Sequence, residues 1–225
     1  MWAVMPAAGS GQRMGSATPK QFRSLAGRPL LAWSLDALAA ESRLRGVMLA
    51  LPTGVAVPDG LPRQLPLHQC TGGSTRQRSV LAALDALLEQ GLPTSTAVLV
   101  HDAARPFLPA ADLAALLDDP AECAILATAL TDTVKQDDHA GRIAATLPRE
   151  RLWRALTPQR APLGLLRDAL IDAEAAGVSV TDEAQALERI GVSVRLVPGS
   201  SLNFKITTPD DWQLAGALLA VRSSR

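Results

Sequence analysis

The sequence predicts an open, mostly parallel α/β sheet flanked by helices, with a hairpin arm protruding from it. Three observations carry that expectation. Short apolar runs of strand length alternate with longer segments whose apolar residues recur at helical spacing, the rhythm of parallel α/β proteins. Several of the short runs are apolar throughout, as strands buried on both faces are. The loops that follow them carry glycine and charge, at the edge of the sheet where such folds bind ligands.

In order, "WAVM" (Trp2–Met5) reads as a buried strand, and in "PLLAWSLDALAAE" Leu31, Leu35 and Leu38 share one helix face. "GVMLAL" (Gly46–Leu51) is the next strand. "STRQRSVLAALDALLEQG" is a helix with Val80, Leu84, Leu87 and Leu88 on one side and Gly91 as its stop. "AVLVH" (Ala97–His101) and "CAILATAL" (Cys123–Leu130) are further buried strands. Thr131–Leu147 then breaks the pattern, with two short strands around "QDDHAG" and too little apolar content for a core. An isolated hairpin is marginal in water, so this segment is expected to dock as an arm on a second subunit. A helix over Pro162–Ala176, another after Thr181 and a strand at Ser193–Val197 follow. The last helix starts at Pro209, with Thr208 as N-cap and Asp210 and Asp211 against the positive end of its dipole. Neither an internal repeat nor a linker is evident, so residues 1–225 read as one domain with 131–147 as its arm.

Composition narrows the partners. The 225 residues are 48% hydrophobic and 20% charged, an ordinary globular balance, and 22 basic residues match 22 acidic ones. Zero net charge argues against broad nucleic-acid or membrane-surface binding. No apolar run approaches the roughly 18 residues of a membrane span, and the first residues lack the pattern of a signal peptide. Cys70 and Cys123 are too few for a disulfide framework. A cytoplasmic protein without nucleic-acid or membrane partners is expected.

The opening "VMPAAGSGQRMGSATPKQF" is glycine-rich and cationic. It fails the dinucleotide fingerprint, since Met14 stands where the third glycine belongs and no acid closes "LALPTG". It fails the P-loop pattern too, lacking Gly-Lys-Ser/Thr. What remains is a triphosphate loop of another kind: Gly9 and Gly11 let backbone N–H groups approach an anion, Arg13 offers a planar fork of donors, and Lys20 a mobile charge. A surface turn with solvated cations is the competing reading of this stretch alone. The three histidines, His68, His101 and His139, form no nucleophile triad or metal-ligand spacing.

Further segments settle between these readings. "PAAGSGQRMG…PKQF", "GGSTRQRSV", "HDAARPF", "TDTVK", "LTPQ", "TDEAQALE" and "NFKITTPDDW" occur in this order from Pro6 to Trp212. In them the chain resembles the 2-C-methyl-D-erythritol 4-phosphate cytidylyltransferases of non-mevalonate isoprenoid biosynthesis. The resemblance implies a Rossmann-like homodimer in which the phosphate of methylerythritol phosphate attacks the α-phosphate of CTP and releases pyrophosphate. A phosphate monoester is already an anionic nucleophile, so the chemistry needs orientation and charge rather than a general base. By resemblance, the catalytic residues are Arg13 and Lys20, on the pentavalent phosphate and leaving group, with Arg149 and Lys205 on the second substrate's phosphate. Ala7, Ala8, Gly9, Gly11, Gly72, Gly73, Arg76 and Ser79 would hold the nucleotide. Asp102 would take a hydrated Mg²⁺ or substrate hydroxyls, with Arg105 neutralising phosphate or bracing Asp102. Thr181, and Thr133 with Arg149 from the neighbouring subunit's arm, would reach the methylerythritol phosphate. Mg²⁺ is the implied cofactor, held mainly by CTP oxygens with no protein metal site.

The chain departs from the common pattern at Phe204, Ser74 and Gln185, and "LTPQ" (Leu156–Gln159) is expected as a shaped turn near the arm. At 225 residues a fused second catalytic domain is not expected. The rival readings are a cytidylyltransferase for another polyol phosphate such as ribitol 5-phosphate, and a non-catalytic nucleotide-binding subunit.

Overall fold

Alternation along the first strand, β1 (Trp2–Pro6), sets the architecture: Ala3 and Met5 enter one apolar cluster and Val4 the other. The same division holds in β4 (Val47–Leu51), where Val47, Leu49 and Leu51 face one side and Met48 and Ala50 the opposite one. A sheet buried on both faces follows, and the computed structural model, which describes residues 1–9, 18–62 and 64–223, contains one. Its further strands are β5 (Leu67–Thr71), β6 (Ala97–Val100), β7 (Ala124–Ala129), β10 (Trp153–Pro162) and β11 (Arg195–Pro198). The seven run in the order β11-β7-β10-β6-β1-β4-β5. Pairing is parallel everywhere except at β10, which runs antiparallel to both β6 and β7.

Helices α1 (Leu30–Ala39) and α3 (Ala110–Asp118) cover one face, burying Leu31, Leu35 and Leu38 with Leu113 and Leu116. On the other face lie α2 (Arg76–Glu89), α4 (Leu163–Ala175) and α5 (Glu183–Arg189), contributing Val80, Leu84, Leu166, Leu170 and Leu187. Each fully buried leucine is worth about 1.5–3 kcal/mol against exposure. Gly91 takes φ +83° just beyond α2, the left-handed stop expected of it. The last helix, α6 (Pro209–Ser223), begins with a reciprocal cap. Thr208 Oγ1 accepts the Asp211 N–H at 3.1 Å, while Asp211 Oδ2 accepts the N–H groups of Thr207 and Thr208. A small ribbon, β2 (Ser24–Leu25) with β3 (Arg28–Pro29), leads into α1.

Between β7 and β10 the chain leaves the sheet as an antiparallel hairpin, β8 (Val134–Asp137) with β9 (Ile143–Leu147), a two-stranded sheet of its own. Asp138 closes its turn by accepting the N–H groups of Ala140 and Arg142. Ile143 stays 68% exposed, so the hairpin does not bury its own apolar residue.

One sequence expectation is overturned here. "LTPQ" is not a turn beside the arm but the middle of β10, ten residues long and inside the sheet. Pro158 has no N–H to give the ladder, and the pairing with β7 shifts register between Ala155 and Gln159 to accommodate it.

Candidate active site

The carboxyl ends of β1, β5 and β6 open on one cleft of about 400 Å³. The exit of β1 supplies Ala7, Ala8 and Gly9. Gln21 shapes that exit: its Nε2 donates to the carbonyls of Ala7 (2.6 Å) and Gly9 (2.9 Å). Beside it, in the short 3-10 turn Lys20–Phe22, Lys20 lines the cleft and its Nζ donates to the Ile206 carbonyl at 2.6 Å.

After β5 the backbone has no room for side chains. A Cβ on Gly72 would lie 2.5 Å from that of Ala8, and one on Gly73 2.4 Å from that of Arg78. The two glycines are therefore required by the approach of this turn to the β1 exit and to α2, before any ligand is considered. Thr75 caps α2 by accepting the Arg78 N–H at 3.1 Å. Ser79 is buried and donates to the Thr75 carbonyl at 2.8 Å, under the floor of the cleft that it helps to line.

After β6, Asp102 is the hub. Its Oδ1 holds Arg76 Nε at 3.0 Å, and its Oδ2 holds Lys205 Nζ at 3.0 Å and Arg105 Nε at 3.3 Å. Arg76 reaches on to Glu183 through two bonds of 2.7 and 3.0 Å, the bidentate geometry of a guanidinium on a carboxylate. Burial alone would raise the Asp102 pKa, but Arg76, Lys205 and Arg105 hold it well below the usual carboxylate range. Burial likewise works to lower the pKa of Arg76, and Glu183 and Asp102 outweigh it, so the pair stays charged.

Behind the hub lies a wholly buried imidazole. His101 Nε2 is 3.1 Å from the Arg105 carbonyl and its Nδ1 3.0 Å from Thr157 Oγ1. Burial pushes its pKa down to about 4, so the ring is neutral at pH 7. Thr157 Oγ1 also accepts the Asp102 N–H at 3.1 Å. Among the described residues no three His, Cys, Asp or Glu side chains converge to hold a metal ion. Both Asp102 oxygens are already engaged by three cations, so the donor set suits a metal that arrives on phosphate oxygens.

The sequence model of the 2-C-methyl-D-erythritol 4-phosphate cytidylyltransferase family (IspD) matches residues 1–221. The chain belongs to this family. The enzyme of that name from Xanthomonas axonopodis pv. citri is 49% identical over 217 residues, spanning 94% of this chain and 81% of that one. The Xanthomonas oryzae pv. oryzae enzyme is 48% identical over the same share of this chain and 79% of its own. Among solved structures, that of the Thermus thermophilus 2-C-methyl-D-erythritol 4-phosphate cytidylyltransferase superposes with a TM-score of 0.80 at 34% identity, covering 97% of this chain and 98% of that one. The Francisella tularensis structure gives 0.80 at 31% identity over 96% and 98%.

Against the motifs of the cytidylyltransferase family, the cleft brings together Ala7, Ala8, Gly9, Gly73, Arg76 and Ser79 with Lys20, Asp102 and Lys205. Gly72 packs against Ala8, and Arg105 braces Asp102 from behind. Gly11 and Arg13 lie outside the described residues. Three other expected residues are not among those lining the cleft. Thr133 and Arg149 flank the hairpin and are exposed, with the Arg149 guanidinium donating to the Thr131 carbonyl. Thr181 is exposed at the head of α5, its N–H on Gln185 Oε1 at 2.6 Å.

Sequence reasoning misses Glu183, Gln21 and the pair His101–Thr157. Glu183 reads only as a helix-start acid, whereas Asp182 caps α5 and Glu183, 2% exposed, serves Arg76. Thr157 lies hidden inside a segment that reads as a turn.

Proposed function

We propose that this cleft is where the chain carries out the reaction of its family: transfer of the cytidylyl group of CTP to 2-C-methyl-D-erythritol 4-phosphate, with release of pyrophosphate. The observation that carries the reading is the convergence of Lys20, Lys205, Arg76 and Asp102 on one cleft shared with the glycine exits of β1 and β5. An oxygen of the incoming phosphate forms a bond to the α-phosphorus, the bond from that phosphorus to the bridging oxygen breaks, and its electron pair leaves with pyrophosphate. No proton has to be removed from the attacking phosphate. His101 would not serve as a base in any case, since it is buried and both its nitrogens are engaged.

The requirement is positive charge in fixed positions. Lys20, Lys205, Arg76 and Arg105 outnumber the carboxylates Asp102 and Glu183, which bind the last three together. In our reading Lys20, with Arg13, neutralises the five-coordinate phosphorus and the leaving pyrophosphate. Lys205, with Arg149 of a neighbouring subunit, receives the second substrate's phosphate. The backbone of Ala7, Ala8, Gly9, Gly11, Gly72 and Gly73, with Arg76 and Ser79, holds the nucleotide. Asp102, Arg105, Thr133 and Thr181 serve the methylerythritol moiety. Mg²⁺ comes in on the triphosphate as part of the substrate. Residues 1–225 act as one domain, paired through the arm at 131–147, in the cytoplasm.

Pyrophosphate release from Mg²⁺ and CTP tests the reading, with methylerythritol phosphate and ribitol 5-phosphate run in parallel. Release with methylerythritol phosphate is expected. Release with ribitol 5-phosphate alone would overturn the substrate and keep the mechanism; silence with both would overturn the enzymatic reading.

A further inference from the structure

We infer that His101 and Thr157 are positioning residues for the second substrate's subsite: a neutral imidazole, protonated on Nε2, locks the loop carrying Asp102 and Arg105 onto the irregular middle of β10. The inference rests on the reading of Asp102 and Arg105 given above. The proton assignment follows from a carbonyl's inability to donate. Arg105 O can only accept, so His101 Nε2 carries the hydrogen across their 3.1 Å. In a neutral ring Nδ1 is then an acceptor, and the Thr157 hydroxyl must donate to it across 3.0 Å. That leaves the hydroxyl oxygen's lone pairs for the Asp102 N–H at 3.1 Å. With the ring neutral, a proton moved to Nδ1 would leave Nε2 as an acceptor facing the Arg105 carbonyl, two acceptors face to face.

The relay reaches both sides of the subsite. Thr157 also offers its backbone carbonyl to Asn203 Nδ2 at 2.7 Å, and the Asn203 carbonyl accepts Arg105 Nη1 at 2.8 Å. Asn203 stands two residues before Lys205, so the register shift in β10 sets the Asp102 loop and the Lys205 segment against each other. His101, Thr157 and Asn203 are each at most 3% exposed, so water cannot replace a lost partner at low cost. Arg76, on the nucleotide side of the cleft, meets Asp102 at its side chain, through Oδ1, whereas the relay holds the Asp102 backbone N–H.

Two measurements test it. Nitrogen-15 spectra of histidine-labelled wild type at pH 7 should show His101 with its proton on Nε2; a proton on Nδ1 would overturn the relay. Steady-state kinetics should then separate Thr157→Val, which cannot donate, from Thr157→Ser, which can. The valine variant is expected to raise KM for methylerythritol phosphate roughly tenfold and leave KM for CTP within about twofold, with serine near wild type, as loss of one buried hydrogen bond implies. A valine variant in which both KM values are unchanged, or rise together in step with lost stability in urea, would overturn the inference. So would a serine variant that fails to rescue. Inactive wild type would overturn the assigned reaction and the positioning role with it, whereas active wild type with the wrong tautomer would overturn the relay alone.

Discussion

At Asp102 a carboxylate 6% exposed keeps Arg76, Arg105 and Lys205 within 3.3 Å, so four charges are fixed before any substrate arrives. That is the arrangement a phosphoryl transfer exploits, because donors already oriented need not reorganise as charge develops. Lys20 differs in being anchored by a backbone carbonyl, that of Ile206. On the proposed roles, Lys20→Ala should lower kcat roughly 10²–10³-fold, as removal of one preorganised donor does, and change KM for CTP far less. A loss confined to KM would mean that Lys20 holds only the ground state. Lys20, Asp102 and Lys205 are legible in the sequence because each stands in a motif whose order is diagnostic. Glu183 is not legible: its partner Arg76 is 107 positions away, and their meeting depends on α4 packing against both α2 and α5.

Elements are most legible where the apolar pattern alone decides them. β1, β4, β6 and β7 bury both faces and α1, α2 and α4 bury one, so length and periodicity suffice. β10 escapes such a reading because Pro158 and Pro162 look like turn residues, and only a bulge between two neighbours makes the strand possible. The cost of that irregular strand is offset in part by Arg160, 7% exposed, whose guanidinium donates to the carbonyls of Leu117 (3.0 Å) and Asp119 (2.9 Å) and also to that of Ala121. These carbonyls lie at and just beyond the carboxyl end of α3, where a cation is also favoured by the helix dipole. Arg160→Met should therefore cost about 3 kcal/mol by leaving buried acceptors without donors. Urea unfolding would show it as a lower midpoint at unchanged slope, with wild-type kinetics in the folded enzyme; a midpoint equal to wild type would refute the role.

Two predictions belong to the whole molecule, one on stability against pH and one on the proposed assembly. Unfolded, His101 takes a proton near the ordinary 6.5; folded, burial holds it to about 4. Between those values the unfolded chain binds more protons, so stability falls as pH falls through that window, by roughly 3 kcal/mol in all. Asp102 acts lower: its folded pKa lies well below 3.8, so its contribution is intact above that value and is lost only beneath it. Unfolding midpoints should thus decline from pH 6.5 to 4 and fall again further down, and a flat profile above 4 would contradict the buried neutral imidazole.

The assembly we propose rests on the hairpin, a two-stranded sheet of its own that carries an exposed Ile143. Thr133 and Arg149 flank it and are exposed, while Lys20 and Lys205 line the cleft. If the arm completes a neighbour's cleft, chains bearing Lys20→Ala and chains bearing Arg149→Ala, each inactive alone, should regain activity when mixed and allowed to exchange. A two-fold dimer of the two kinds has one site with both cations and one with neither, so random exchange would restore about a quarter of wild-type turnover. No recovery, with exchange verified by sedimentation of tagged chains, would mean that Arg149 serves its own subunit or no site. Replacing residues 133–145 by a short linker adds the structural half of the test, since an arm that holds the dimer together should leave monomers when it is removed.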